Sequence, residues 1–293
     1  MRAVTRFAAS SIRSAAPPRA RSRPHPVAEA ILDFDFPHGL AGLLVGLIVG
    51  VTGVGGGALM TPLLVLIFQT PVTTAVGTDL LYASITKCFG TAVHQKHGTV
   101  DWQVVRRLAT GSLPAAALTL LWMHSSGTGN IKSGAIIVAL GIALAITALG
   151  MIFKDQLHAF GTRMRVGDSE RFKALQPALT VAAGVLLGVM VTMTSVGAGA
   201  LGTVMLVYLY PLRLSAGRLV GTDLAHAIPL TLIAGLGHMS LGNVDLHLMV
   251  NLLMGSIPGV LVGSLISARA PVKPVRYAIA TVLLIVSYKM LAH

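Results

Sequence analysis

The chain has 293 residues, of which 54% are hydrophobic and 11% charged, and its mean hydropathy is +0.78. Soluble domains carry about 25% charged residues, so a soluble globular domain is excluded, and so is a disordered chain. The single cysteine, Cys88, excludes an intrachain disulfide framework, a multi-cysteine metal site and dithiol redox chemistry. The composition therefore predicts a membrane protein.

The net charge of +12 is concentrated at the start of the chain, where six arginines and no acid occur in the first 24 residues. We interpret residues 1–38 as a basic, disordered tail. Its composition is similar to a transit peptide, but a cytoplasmic extension that obeys the positive-inside rule explains the same charges, and both alternatives stay open. No apolar core precedes the proline-rich stretch 17–26, which argues against a secretory signal. Nucleic-acid binding is not expected, because the basic residues lack interleaved aromatics.

Eight apolar segments approach or exceed the roughly 20 residues that a membrane-spanning helix needs. They lie near 39–68, 73–94, 103–123, 132–153, 177–208, 215–238, 247–268 and 275–292. The first and the fifth are the longest, and glycines break each of them midway. This pattern predicts an all-α, polytopic membrane protein with seven or eight transmembrane helices.

One long polar stretch, residues 154–176, separates the fourth segment from the fifth and is rich in bases. By the positive-inside rule we expect this connector to face the cytoplasm, on the side of the tail, in the inner (plasma) membrane. The bases of the second half, such as Arg213 and Arg218, fit that rule better if the fifth segment enters and returns on one face. A glycine-broken stretch does so only where it lines a protein-enclosed cavity.

The chain contains an internal repeat. Residues 41–65 match 183–207 at an offset of 142, and the string Val-Gly-Thr-Asp-Leu at 76–80 recurs unchanged at 220–224, at an offset of 144. Chance apolar similarity does not reproduce a five-residue string that contains a charge. The two predicted four-segment repeats span 39–153 and 177–293. Duplicated halves around a central site are a recurrent plan of secondary transporters, in parallel or inverted form.

Asp79 and Asp223 are the only acids inside the apolar segments, and they are repeat equivalents. An ionised carboxylate at the bilayer centre costs about 2.5–3.5 kcal/mol on insertion scales, which favours a functional reason for both. They would carry protons or organise a polar substrate pocket. The alternative is a structural role near the helix start, where a carboxylate complements the helix dipole.

The broken stretches, residues 50–57 and 192–199, are candidate anion sites. A helix that restarts after a glycine break presents free N–H groups and the positive end of its dipole, which suits an oxyanion. The alternative is that the glycines only permit tight helix packing. The candidate substrate-binding residues in these stretches are Thr52, Gly55, Gly56, Gly57, Thr194, Ser195, Gly197 and Gly199.

Lys87 lies well inside an apolar segment and would balance the charge of a bound anion. A carboxylate partner on another helix, or snorkelling to the interface, explains it equally well. Asp101 and Asp245 precede the third segment of each half and are predicted N-caps. His94 and His238 are interpreted as interfacial caps, with a proton relay as the alternative. The sequence contains no metal-ligand spacing and no nucleotide-binding loop, so neither a cofactor nor an enzyme activity is expected.

The stretch Gly53 to Gly57, Pro62-Leu63-Leu64 and Ala75 to Leu80 resembles the first-half signature of the sulfite exporter TauE/SafE family. The strings at 220–224 and 255–259 are similar to its second-half signature. The resemblance covers residues 39–292 and implies an inner-membrane protein of seven or eight helices that moves small sulfur-containing anions, such as sulfite or organosulfonates. The second half departs from the first at Ala198, which corresponds to Gly56, and at Gly202-Thr203-Val204, which corresponds to Met60-Thr61-Pro62.

Together the residues and the resemblance predict a secondary transporter that exports a small sulfur oxyanion from a site between the repeats, coupled to protons through the two aspartates. A passive anion channel and a non-transporting membrane scaffold or receptor are the alternatives. The expected partners are the small anionic substrate, the lipid bilayer and, in one alternative, a second copy of the chain as a homodimer.

Overall fold

The computed structural model describes residues 35–52, 57–96, 98–126, 133–167, 169–267 and 272–292. Within these ranges the secondary structure is helical and contains no strand. The helices are α1 (Phe36–Thr52), α2 (Gly57–Leu66), α3 (Val72–Lys96), α4 (Trp102–Ser125), α5 (Ser133–Ile152), α6 (Lys154–Gly167), α7 (Ser169–Thr194), α8 (Ala200–Leu209), α9 (Ala216–Ser240), α10 (Leu246–Ser267) and α11 (Val272–Ala292).

Each predicted apolar segment contains a helix, and the two long segments contain two helices each. In the first, α1 ends at Thr52 and α2 begins at Gly57, and residues 53–56 between them lie outside the described residues. In the fifth, residues 195–199 separate α7 from α8. The predicted interruption of the fifth segment is therefore present in the structure.

The polar connector is largely helical, although it is not among the apolar segments predicted as helices. Residues 154–167 form α6, and α7 begins at Ser169 rather than near 177. Asp155 in the first turn of α6 complements the helix dipole, and Gly161 lets α6 pack closely against the backbone of Tyr208. A bend of 70° at the break between α5 and α6 turns the chain out of the line of α5.

Among the described residues, four helical stretches are long and apolar enough to cross a membrane: Phe172–Thr194, Gly217–Ser240, Leu246–Gly263 and Pro274–Ala292. The bent pair α5–α6 adds a fifth if it counts as one span, while α1 and α8 are apolar but shorter. The protein is thus a multi-pass, helical membrane protein. The number of seven or eight crossings stays a prediction.

Both interrupted segments return toward the end from which they start. In the first, the His38 ring near the start of α1 stacks on Phe68, just after α2, with 4.1 Å between ring centroids. In the second, the Thr180 hydroxyl near the middle of α7 lies 2.8 Å from the hydroxyl of Tyr210, just after α8. Each pair of helices therefore forms a hairpin. That the fifth segment enters and returns on one face of the membrane stays a prediction.

Glycines allow each hairpin to pack closely against a helix of the other half. A Cβ atom at Gly42 of α1 would overlap the carbonyl oxygen of Leu252 in α10, and one at Gly184 of α7 would overlap that of Leu108 in α4. The two contacts are related by the offsets of the sequence match, 142 and 144. Small residues that bring helix backbones together are typical of packing in membranes.

Helices α3 and α9 pack against each other in antiparallel directions, since Gly90 faces Leu224 and Gly235 faces Leu81. Asp101 and Asp245 cap the helices that follow, as predicted, because their carboxylates accept from the amides three residues later at 3.3 and 2.9 Å. The amide of each capping aspartate donates to a threonine hydroxyl of the other half at 3.0 Å, Asp101 to Thr222 and Asp245 to Thr78.

Candidate functional site

The two intramembrane aspartates lie inside the protein, each beside a threonine of a short hairpin helix. Asp79 on α3 is 0% exposed and accepts a hydrogen bond from the Thr61 hydroxyl of α2 at 2.5 Å. Asp223 on α9 is 1% exposed and accepts from the Thr203 hydroxyl of α8 at 3.3 Å. Asp79 is the eighth residue of its helix, and its partner belongs to a different helix. These contacts therefore differ from the helix-start role considered above.

Each carboxylate keeps one oxygen without a hydrogen bond. Oδ1 of Asp79 and Oδ1 of Asp223 are both buried and unpartnered among the described residues. The Oδ1 atom of Asp223 packs directly against Gly202, where a Cβ atom would overlap it. Buried carboxylate oxygens with no donor carry a large desolvation cost, which a proton or a ligand would relieve.

Lys87 connects the first half to the interrupted segment of the second. Its side chain is 2% exposed, and its ammonium donates to the carbonyl oxygen of Ala198, between α7 and α8, at 2.9 Å. It also interacts electrostatically with both Asp79 and Asp223. This burial excludes snorkelling to the interface and makes Lys87 the buried cation of an acidic cluster.

The charges lie at different depths along the α3–α9 pair. Eight residues of helix separate Asp79 from Lys87, or about 12 Å along the axis. Because α3 and α9 are antiparallel and Gly90 faces Leu224, Asp223 lies near the far side of Lys87. The cluster therefore extends along the helix pair, with the lysine between the two carboxylates.

The break between α7 and α8 has the backbone of an opened helix. Ser195 has a φ of 58°, Gly197 of 118° and Gly199 of 135°, values that glycine adopts readily and a serine rarely. No side chain caps the start of α8 at Gly199. The Ser195 hydroxyl is buried and lies within hydrogen-bonding reach of the Asp79 carboxylate. A polar group and the positive end of a helix dipole therefore meet beside Lys87.

The remaining predicted site residues are placed as follows. The hydroxyls of Thr52 and Thr194 donate to carbonyls one turn earlier in their own helices, at 2.7 and 2.6 Å. Thr194 also accepts from the amide of Val196, which holds the start of the break. Gly57 begins α2, and Gly55 and Gly56 lie outside the described residues. Gly197 and Gly199 flank Ala198, whose carbonyl oxygen accepts from Lys87. Ser195 lies beside Asp79.

Several buried polar residues near this cluster are missing from the sequence prediction. Thr61 and Thr203 are one identical pair of the repeat, and that identity was the available signal. His226 lies in the apolar segment 215–238, and its Nε2 atom is 2.8 Å from the Ser112 hydroxyl oxygen. Tyr82 occupies the repeat-equivalent position and is fully buried, with an unpartnered hydroxyl.

His238 differs from the predicted interfacial cap. It lies in the last turn of α9 but is 1% exposed, and its Nε2 atom is 2.9 Å from the carbonyl oxygen of Thr192, near the end of α7. The reason is that α9 ends against the interior tip of the α7–α8 hairpin. The side chain of His94 lies outside the described residues.

The three charged side chains of the cluster are buried. Cavities of about 360, 470 and 500 Å³ open elsewhere on the described part of the protein, and none of these three is lined by Asp79, Lys87 or Asp223. None of the three therefore provides the expected water-accessible cavity at the aspartates.

The comparisons with known proteins agree with a membrane transporter. The family model described as "Sulfite exporter TauE/SafE" matches residues 39–290. The "Probable membrane transporter protein YjnA" of Bacillus subtilis is 40% identical over 257 residues, which cover 86% of this chain and 98% of that protein. The "Probable membrane transporter protein YdhB" of Bacillus subtilis is 27% identical, over 75% of this chain and 85% of that protein.

A more distant relative, the "Probable membrane transporter protein MJ0441" of Methanocaldococcus jannaschii, is 27% identical over 67% of this chain and 69% of that protein. No solved structure matches the chain. Since the family model covers nearly all of the described residues, the protein belongs to the sulfite exporter TauE/SafE family of membrane transporters.

Proposed function

We propose that this protein is a secondary transporter that exports small sulfur-containing oxyanions, such as sulfite or organosulfonates, from a site between its two halves. The observation that carries the proposal is the Lys87 ammonium, 2.9 Å from the carbonyl oxygen of Ala198 at the opened helix. A buried cation beside an uncapped helix start provides two favourable interactions for an oxyanion. The family supports the same class of substrate.

The charges of the cluster connect anion binding to proton binding. With Lys87 charged and Asp79 and Asp223 both ionised, the cluster carries a net charge of −1 and repels an anion. When both carboxylates are protonated, the lysine alone remains charged and the cluster attracts one. Since an uncompensated charge is costly in a buried site, we expect the anion to bind together with protons on the aspartates.

The hydroxyl groups around the cluster complete the proposed site. The Ser195 hydroxyl, which faces Asp79, would donate to the anion from the hairpin tip. The Thr61 and Thr203 hydroxyls hold one oxygen of each carboxylate in place. The unpartnered Oδ1 atoms would then take up the protons, and a protonated carboxyl group becomes a donor to the anion.

Contacts at the open ends of the two hairpins support an inverted arrangement of the two halves. The α1–α2 hairpin opens at the end where the Asp35 amide bonds to Asn251, near the start of α10. The α7–α8 hairpin opens beside Tyr210 and Arg213, at the end where α3 leads into α4. Because α3 connects these two ends, the hairpins would enter the membrane from opposite sides, as in inverted-repeat transporters.

The charges then give this arrangement an orientation. Most of the described bases lie at the connector end, namely Arg106, Arg107, Lys154, Arg163, Lys173, Arg213, Arg218 and Arg276, whereas Lys289 lies toward the other end. The positive-inside rule makes the connector end cytoplasmic. Asp35 lies at the opposite end, so under this proposal the tail would leave from that side. The expectation that the tail and the connector share the cytoplasmic side stays a prediction, because residues 1–34 lie outside the described residues.

The proposal is tested with purified protein in liposomes. Labelled sulfite should exchange against internal sulfite with saturable counterflow, and Lys87→Gln should abolish it. The matched control is Lys173→Gln, an exposed lysine that pairs only with the nearby Glu170 in its own helix, at 3.2 Å. Flux that never saturates would identify a channel, and no flux from folded wild-type protein would favour a scaffold or receptor.

A further inference from the structure

A polar cavity lies at the connector end of the protein, away from the buried cluster of Asp79, Lys87 and Asp223. It has a volume of about 360 Å³ and lies between the α5–α6 bend and the loop that joins α8 to α9. Its polar lining consists of Lys154, Asp155, His158 and Ser215. The apolar remainder of the wall includes Leu219, which is four residues before Asp223 on α9 and lies one helical turn from it.

The charges of this cavity favour an anion. Asp155 is already engaged by Arg276, whose guanidinium donates to both carboxylate oxygens at 2.9 and 3.2 Å. Lys154 makes no ion pair and no hydrogen bond within the part of the chain that the structure describes. Arg276, which does not line the cavity, therefore compensates the charge of Asp155, and the positive charge of Lys154 is not compensated by an ion pair.

Burial and the neighbouring Arg276 lower the pKa of Lys154, and the attraction of Asp155 and Asp223 offsets this shift only in part. The lysine has therefore lost water without gaining a hydrogen-bonded partner among the described residues. An oxyanion in the cavity would supply that partner. The Ser215 hydroxyl precedes α9 and makes no capping bond to it, so it is available as a second donor.

The cavity also communicates electrostatically with the central cluster. Lys154 and Asp223 carry opposite charges and attract each other across the wall formed by α8 and α9. An anion held at Lys154 would lie next to the helix turn that carries Asp223. A cationic vestibule that concentrates a charged substrate is a general means of increasing its rate of capture.

We infer that the cavity lined by Lys154, His158 and Ser215 is a second, low-affinity site for small sulfur oxyanions. This cavity, the vestibule, would bind the anions at the cytoplasmic end before they pass to the buried site at Lys87. This inference rests on the proposed function for the identity of the anion. Binding at the vestibule can nevertheless be measured without transport, so an experiment can contradict the vestibule and the proposed function independently.

The test measures protection of a cysteine. In a Cys88→Ser background, Ser215→Cys introduces a thiol at the cavity wall while Lys154 is kept. In detergent-solubilised protein, methanesulfonate, which does not consume maleimides, should slow labelling of this thiol about threefold or more. Adding Lys154→Gln should remove the protection, and Lys154→Arg should retain it. Ser240→Cys, an exposed position at the other end, is the control and should show no protection.

Kinetics provide the second arm. In liposomes Lys154→Gln should raise the KM for sulfite about three- to tenfold with the maximal rate unchanged, as expected for loss of a capture site. Equal labelling with and without methanesulfonate, or protection that persists in Lys154→Gln, would overturn the vestibule even if transport is intact. Protection without any transport would support the vestibule and contradict the proposed function.

Discussion

The hydroxyl of Thr61 donates to the carboxylate of Asp79 at 2.5 Å, between a short hairpin helix and the long helix that follows it. At the equivalent positions of the second half, the Thr203 hydroxyl lies 3.3 Å from the Asp223 carboxylate and also contacts the Gly199 carbonyl oxygen at 2.5 Å. In each half the hairpin therefore contacts the acid that we propose takes up a proton. Movement of a hairpin would change the surroundings of its carboxylate, which gives a physical connection between proton binding and access to the site.

Removing the carboxyl groups should uncouple the anion from protons. Asp79→Asn combined with Asp223→Asn leaves Lys87 without ionisable partners. We expect methanesulfonate to bind, but transport to become independent of pH and to be at least about tenfold slower, because the empty cluster keeps its charge during the return step. Methanesulfonate stays an anion across the relevant pH range, so proton movement measured with a trapped pH dye belongs to the protein. Wild-type flux without proton movement would contradict the coupling.

The hydroxyl that holds Asp79 should matter less than the acid itself. Thr61→Val keeps the shape of the side chain and removes the donor. Hydrogen bonds inside membrane proteins contribute about 0.6 kcal/mol on average, so we expect a modest loss of stability together with an altered pH profile of transport. Thr281→Val, at an exposed hydroxyl that donates to the Tyr277 carbonyl, is the control and should change neither property. An unchanged pH profile in Thr61→Val would separate this contact from coupling.

Gly202 makes room for the Asp223 carboxylate, and the first half has Met60 at the corresponding position. A Cβ atom at Gly202 would overlap Oδ1 of Asp223. Gly202→Ala should therefore displace the carboxylate and reduce transport about tenfold or more, although alanine favours the helix by about 1 kcal/mol. Gly217→Ala adds a methyl group at ordinary distance from Thr99 in the same region and should leave transport unchanged. Equal activity of the two variants would show that the position of Oδ1 is not critical.

Close glycine contacts between the halves should dominate stability. Gly184→Ala forces α7 away from the Leu108 carbonyl, and overpacking of this kind costs about 1–3 kcal/mol. The melting temperature in detergent should fall by several degrees, whereas Gly134→Ala, with open space around the new methyl group, should leave it unchanged. A melting temperature for Gly184→Ala equal to that of the wild type would contradict this prediction, because it would show that α7 and α4 can move apart without a loss of stability.

The positions of the helices were largely predictable, while their partners were not. Hydropathy located the eight apolar segments and the glycine-rich stretch located the break between α7 and α8, because both signals are local in sequence. The first predicted break lies at residues 53–56, outside the described residues. The helix at 154–167 was missed, since a polar amphipathic stretch between two apolar segments has the composition of a linker. Asp101 and Asp245 were correctly predicted as N-caps because capping depends on residues only three positions apart.

The site was predictable in residue type but not in contact. Lys87, Asp79 and Asp223 stood out as charges in apolar surroundings. The partner of Lys87 is a backbone carbonyl 111 residues away, which no side-chain pattern encodes. Thr52 and Thr194 were expected to face the anion, yet a threonine at a helix end readily donates to the carbonyl one turn earlier. Whether they bind substrate stays a prediction, and so does a homodimer.

The central claim is that a sulfur oxyanion binds at Lys87 beside the opened helix. The most direct test is counterflow of labelled sulfite into liposomes that contain wild-type protein, Lys87→Gln or Lys173→Gln, each shown to be folded by its elution as a single species in detergent. The account predicts saturable exchange in the wild type and in Lys173→Gln and none in Lys87→Gln. Exchange by Lys87→Gln with the same KM and rate as the wild type would contradict it.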